Sequence, residues 1–296
     1  MALPFDPTEL ARYGGLTLVA RTVVEGFLTG IHRSPFKGFS VEFAEHRQYY
    51  PGDEIRRIDW RAYGKTDRYF VKEFEEETNL KAYLVVDASG SMKYRGRQKL
   101  SKFEYAQQVA ASLAYLMLAQ LDAVGLVVHD TRPRAVVPPK TSSKHLLRIL
   151  QTLEATTPAG ETALAPVWHE IAGRHLKRRG MVILLSDCFD RTEDLGRALQ
   201  HFRSKNHEVL LIHVLAPEEL DFPFKRPTKF RSLEVAGYEV VTDARRLREE
   251  YLRSFEEYRQ ALRRKVEDLH IDYLLVRTDE PVDRALGAYL AKRALR

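Results

Sequence analysis

"YLVVDASGSMKY", Tyr83 to Tyr94, is an apolar run that ends in an aspartate followed by serines at alternate positions. Tyr83 to Val86 are short in extent, rich in β-formers and bounded by polar residues, which predicts a buried strand. Asp87 then stands where the strand runs out, at the edge of a sheet, with Ser89 and Ser91 in the loop beyond. Such an Asp-x-Ser-x-Ser loop can be a set of backbone caps, a nucleophile or a cation site. The rest of the chain has to decide between them.

Downstream, apolar strands alternate with amphipathic helices. The stretch from Lys102 to Ala119 is typical: Phe103, Ala106, Ala110, Leu113 and Met117 recur by three and four and share one helical face. "AVGLVVH", "MVILLSD", "EVLLIHVL" and "DYLLVR" read as further strands, with helices near 144–154, 165–176, 193–203 and 245–269 and at the C-terminus. This alternation predicts an α/β fold: a doubly wound, mostly parallel sheet with helices on both faces. The first eighty or so residues differ, reading as a helix over 16–28 and then an antiparallel β arm. Two parts are therefore expected: 1–78, the N-terminal helix and β arm, and 79–296, the α/β domain, interrupted by a hairpin insertion at about 217–243 that turns at Ala236-Gly237.

Composition narrows the functional classes. The chain has 296 residues, 44% of them apolar, which is ordinary globular material. Its 47 basic and 41 acidic residues give a net charge of +6 but are well mixed, and only short basic runs such as "RRLR" appear. A nucleic-acid footprint calls for clustering, so no nucleic-acid partner is expected. The lone cysteine, Cys188, excludes an intrachain disulfide and a cysteine-rich zinc site. "MALPFDPTEL" lacks the features of a signal peptide, and no apolar run is long enough for a membrane span. A cytoplasmic protein is the expectation.

Familiar catalytic motifs fail on spacing. Gly64-Lys65-Thr66 would close a P-loop only with glycine at position 59, which is Asp. His169-Glu170 would begin a zinc-protease helix only with histidine at 173, which is Gly. "ASGSM" lacks the flanking glycines of a nucleophile elbow. What remains is oxygen ligation. Ser89 and Ser91 can turn both hydroxyls toward one point beside Asp87, "AGETAL" supplies Thr162 before a helix, and "LLSDCFD" supplies Asp187 at the end of another strand. Five oxygen side chains at one sheet edge suit a hard cation, Mg²⁺ or Mn²⁺.

"DASGSM" with a later Thr and a later Asp resembles the metal-ion-dependent adhesion site of von Willebrand factor A domains, in the same chain order. Upstream, "RQYYPGDEIRRIDWRAYGKTDRYFVKEFEEE" is similar to the segment preceding this module in the bacterial family called domain of unknown function 58, whose members commonly accompany MoxR-type AAA+ ATPases. That resemblance implies a von Willebrand A-like fold. It further implies that Ser89, Ser91 and Thr162 contact the metal directly, while Asp87 and Asp187 act largely through waters. It implies a non-enzymatic, Mg²⁺-dependent interaction module, completed by a carboxylate from a protein partner: a MoxR-type AAA+ ATPase or its client. Glu161 stands where many A domains carry a second glycine.

The alternative is a metal-dependent hydrolase using Asp87 and Asp187, for which His129, Asp130 and Glu161 are the visible bases. Asp53, Arg56, Arg57, Asp59, Trp60, Arg61 and Asp67 crowd one span and read as ion pairs fixing the arm around a packed tryptophan. Cys188 reads as a small buried hydrophobe. Leu247, Tyr251, Phe255, Tyr258, Leu262, Val266 and Leu269 form a stripe that reads as core.

Overall fold

A computed structural model describes residues 15–30, 42–48, 63–64, 69–75 and 80–294. In chain order these begin with helix α1 (Gly15–Gly30), strands β1 (Glu42–Gln48), β2 (Phe70–Glu75) and β3 (Lys81–Asp87), and helix α2 (Lys102–Ala119). Strands β4 (Ala123–His129) and β5 (Pro133–Lys140), helix α3 (Ser143–Glu154) and helix α4 (Leu164–Glu170) follow. Then come β6 (Met181–Ser186), α5 (Thr192–Ser204), β7 (Glu208–Leu215) and the short α6 (Pro217–Asp221). A hairpin of β8 (Pro227–Arg231) and β9 (Glu239–Asp243), the long α7 (Ala244–Asp268), β10 (Asp272–Arg277) and α8 (Val282–Ala294) complete the chain.

The six-stranded sheet has the order β10-β7-β6-β3-β4-β5. The first five strands in that order are parallel, and β5 is antiparallel to β4. β3 is buried on both faces, as its unbroken apolar run requires. Tyr83 and Val85 pack with Leu164, Trp168, Leu199, Phe202 and Leu262, so α4, α5 and α7 cover one face. Leu84 and Val86 point the other way, toward the layer containing α2. The helical face expected from Phe103, Ala106, Ala110, Leu113 and Met117 is buried throughout. Tyr105, Ala111, Ala114 and Tyr115 are buried as well, because α1 lies over α2 and covers most of its outer side. Ser101 and Glu104 form a reciprocal capping box that starts α2 at that point. Among the described residues no helix is long and apolar enough to cross a membrane.

The doubly wound α/β architecture is thus as expected, with three differences in detail. β5, "PRAVVPPK", was not anticipated: its three prolines argue against a central strand and are tolerated at this edge, next to a register shift. The chain divides into one unit of 1–36 with 81–296 and another of 37–80. α1 therefore groups with the α/β body and not with the β arm, since its buried Ala20 and Val24 need an apolar surface to cover them. The stripe on α7 is core only in its second half. Leu262 and Val266 are fully buried, whereas Leu247 is exposed and Tyr251 stacks against Phe222 and Phe255 near the surface.

The 37–80 unit contains the antiparallel pair β1 and β2, with a register shift between Phe43 and Glu45, and Tyr63 stacked on Tyr69. The ion-pair cluster from Asp53 to Asp67 lies outside the described residues.

Candidate functional site

β3 has β4 on one side and β6 on the other, so the strand order reverses beside it. In a parallel sheet the crevice beyond the strand ends at such a reversal is where ligands bind. The register sets Val86 opposite Leu185, which brings Asp87 level with Ser186. Asp87 and Asp187 therefore leave neighbouring strands at the same edge, both buried.

The loops are tied together by backbone bonds. Ala88 N–H donates to the His129 carbonyl at 2.7 Å, Ala159 N–H to the Ala88 carbonyl at 2.9 Å, and Gly90 N–H to the Gly160 carbonyl at 2.9 Å. This brings the loop after β3 against the loop before α4. The hydroxyls converge in consequence: Ser89 Oγ lies 3.1 Å from Ser91 Oγ, and Ser91 Oγ lies 3.5 Å from Thr162 Oγ1. Asp87 accepts from the Ser89 N–H at 2.8 Å and from the Ser186 hydroxyl at 2.7 Å, which fixes both of its oxygens. Ser91 helps to hold Asp187 in its charged form. Hydrogen bonds thus link all five residues expected from the sequence, from Asp87 through Ser89 and Ser91 to Thr162 and Asp187.

The two aspartates are in opposite electrostatic conditions. Burial would raise both. Asp187 is nevertheless held below the usual carboxylate range, because Lys102 Nζ lies 2.7 Å from its Oδ2. Asp87 is pushed up to about 7 by burial and then by the charge of Asp187. Among the described residues, no Lys or Arg forms an ion pair with Asp87. Burial would likewise lower Lys102, but Asp187 and Glu219, each at 2.7 Å, keep it charged.

The donor set can be judged on this geometry. No group of three or more His, Cys, Asp or Glu side chains able to hold a metal exists among the described residues. Hydroxyls outnumber carboxylates here, the donors are all oxygen, and one buried carboxylate lacks a counter-charge. Those features fit a hard divalent ion and disfavour zinc or copper.

The other residues considered as bases are engaged elsewhere. His129 is fully buried, its Nε2 accepting from Trp168 Nε1–H at 3.2 Å, and burial pushes it down to about 4. Asp130 pairs with Arg134 at 3.6 Å, and Glu161 is exposed on the loop before Thr162. Cys188 is buried with its thiol pushed well above the ordinary range by burial, so it is an inert packing group as expected.

Three residues were missed. Ser186, which orients Asp87, sits in the quoted "LLSDCFD" and was legible there as the residue level with a strand-end aspartate. Lys102 carries no local signal, being one more basic residue at a helix start. Glu234 accepts from the Thr162 hydroxyl although the two are 72 positions apart, and nothing in the sequence links them.

Uncharacterized proteins of Mycobacterium tuberculosis (strain H37Rv) and Mycobacterium bovis are 27% identical to this chain over 290 residues, covering 97% of it and 90% of each relative. Among solved structures, the conserved hypothetical protein BatB from Bacteroides thetaiotaomicron matches at 18% identity and TM-score 0.49, over 73% of this chain and 100% of that one. The VWA domain of SpRpn10 matches at 11% identity and TM-score 0.42, over 71% and 94%. The family model described as protein of unknown function DUF58 matches residues 45–261, and the chain belongs to that family.

Proposed function

We propose that this protein is a non-enzymatic interaction module whose partner docks through a divalent cation, Mg²⁺ or Mn²⁺, at Asp87, Ser89, Ser91, Thr162 and Asp187. The observation that carries the reading is the convergence of three hydroxyls from two loops beside two buried carboxylates, of which Lys102 neutralises one. Ser89, Ser91 and Thr162 would hold the ion directly, and Asp87 and Asp187 would balance its charge. When bound, the cation supplies an electrophilic centre that accepts a further oxygen ligand, and a partner's carboxylate is the natural one. Ser186 keeps Asp87 oriented, and Lys102 prevents two bare carboxylates from repelling each other in the crevice. By family resemblance the partner is a MoxR-type AAA+ ATPase or its client.

The test is calorimetric titration of Mg²⁺ and Mn²⁺ into the chain and into a Ser89→Ala, Ser91→Ala double variant, followed by binding of the purified MoxR-type ATPase with Mg²⁺ or EDTA. We expect the double variant to fold normally and to lose metal affinity by on the order of 100-fold, since even supporting residues around a metal are worth 10- to 100-fold. Metal affinity unchanged by the double substitution would overturn the cation site, and ATPase binding indifferent to EDTA would overturn the bridging role.

A further inference from the structure

The β8–β9 hairpin plays no part in the reading above, yet its tip meets the site. The Thr162 hydroxyl donates to Glu234 Oε1. The backbone fixes this approach as well as the side chain. Ser232 N–H donates to the Tyr238 carbonyl at 2.9 Å, and Ser232 Oγ accepts from the N–H groups of Glu234 at 3.3 Å and Val235 at 2.9 Å, which closes the tip into a defined loop. The Leu233 carbonyl lies directly on the loop after β3: a Cβ built on Gly90 would be 2.4 Å from its oxygen. Only glycine at position 90 lets the two loops approach so closely.

The charges around Glu234 are as informative as its position. The basic residues of β8, Lys229 and Arg231, pair with Glu239 on β9 and not with Glu234. Glu234 is therefore a carboxylate set against the neutral Thr162 hydroxyl with no cationic partner among the described residues. Asp87 is in the same condition. Two carboxylates without a cationic partner beside these hydroxyls leave negative charge that a divalent ion can balance, all the more because Lys102 is shared between Asp187 and Glu219.

We infer that Glu234 is an internal ligand of the cation held by Asp87, Ser89, Ser91, Thr162 and Asp187, taking the position that a partner's carboxylate would otherwise fill. The inference rests on the cation-site reading and adds to it a built-in competitor. An acidic partner engages only when the hairpin tip lifts. The hairpin is constructed for such movement. Its paired strands are anchored through Phe230, which stacks on Phe222 and meets Phe224 edge-on, with ring centroids 6.0 and 5.3 Å away. Beyond that anchor Leu233, Val235 and Tyr238 are exposed, so little apolar surface holds the tip down.

The experiment uses Mn²⁺ as the probe, because water-proton relaxation reports how many exchangeable waters remain on the bound ion. The full chain is compared with Glu234→Gln and Glu234→Ala, with the Ser89→Ala, Ser91→Ala variant as the site control. If Glu234 is a ligand, both Glu234 variants bind Mn²⁺ more weakly, by about 10-fold, and the relaxivity of the bound ion rises by about one water. Amide exchange over residues 227–243 slows on adding Mn²⁺ to the full chain and not to either variant. Equal affinity and equal relaxivity, with binding still strongly weakened in the serine variant, would overturn the inference and leave the cation site standing. Failure of the full chain to bind Mn²⁺ would overturn both.

Discussion

The floor and the roof of the site are built to opposite rules. The floor comes from loops that continue directly from β3 and β6 and from the loop before α4, and its Asp87 and Ser89 are completely buried, with Asp187 nearly so. The roof is the hairpin tip, where Val235 and Tyr238 are 51% and 63% exposed. Strand ends held by a central sheet cannot shift without disturbing the core, so the floor is preorganised. A two-stranded hairpin has marginal stability of its own and can open while the core stays closed. On the proposed reading the difference divides two roles: the floor would set the chemistry of the site, and the roof access to it.

The largest effect should come from breaking the floor's charge balance. Lys102→Met leaves Asp187 buried without its counter-charge, and removing one partner of a buried pair costs about 3 to 5 kcal/mol. Denaturant unfolding in EDTA should show that loss, while amide exchange in the hairpin tip changes little.

A second effect separates the regions by pH. His129 is held neutral by burial down to about 4, against an ordinary 6.5, so acid favours the unfolded chain, which takes up the proton more readily. Its contribution is fully present above 6.5 and is lost as pH falls through about 4. His129→Gln keeps an acceptor for Trp168 and removes the titration. It should therefore shrink the acid loss of stability at pH 4 by about 3 kcal/mol, as measured by unfolding across that range.

The smallest effect sharpens the comparison most. Gly90→Ala would put a methyl group against both the Leu233 carbonyl of the hairpin tip and the Gly160 carbonyl of the loop before α4, and overpacking of this kind costs about 1 to 3 kcal/mol. The tip can yield but the Gly160 carbonyl, bonded to Gly90 N–H, cannot move as freely, so amide exchange should speed up over residues 232–238 and at Gly90 while the sheet is unaffected. Faster exchange in β3 and β6 instead would show that the floor, not the roof, gives way.

How much was legible in the chain follows the same division. The sheet and the five floor residues were readable because each lies at the end of a local pattern: an apolar run ending in Asp87 or Asp187, a glycine loop ending in Thr162. β5 was not, because Pro133, Pro138 and Pro139 mask its pairing, and only the neighbouring β4 decides that the segment is a strand. The stripe on α7 overstated the core because helical spacing shows which residues share a face, not how far the covering layer reaches. Lys102 and Glu234 were invisible for a third reason. Their partners, Asp187 and Thr162, come from distant segments, and proximity of that kind is made by topology and leaves no local mark.

The prolines of β5 also bear on how partners can arrive. Three of the eight residues on this outermost strand have no N–H to offer, and an edge so depleted is a poor template for strand addition. At that side the sheet is closed to growth, whether by a peptide or by a second copy of itself. That leaves the proposed docking over the strand tips, where side chains and not the backbone would choose the partner.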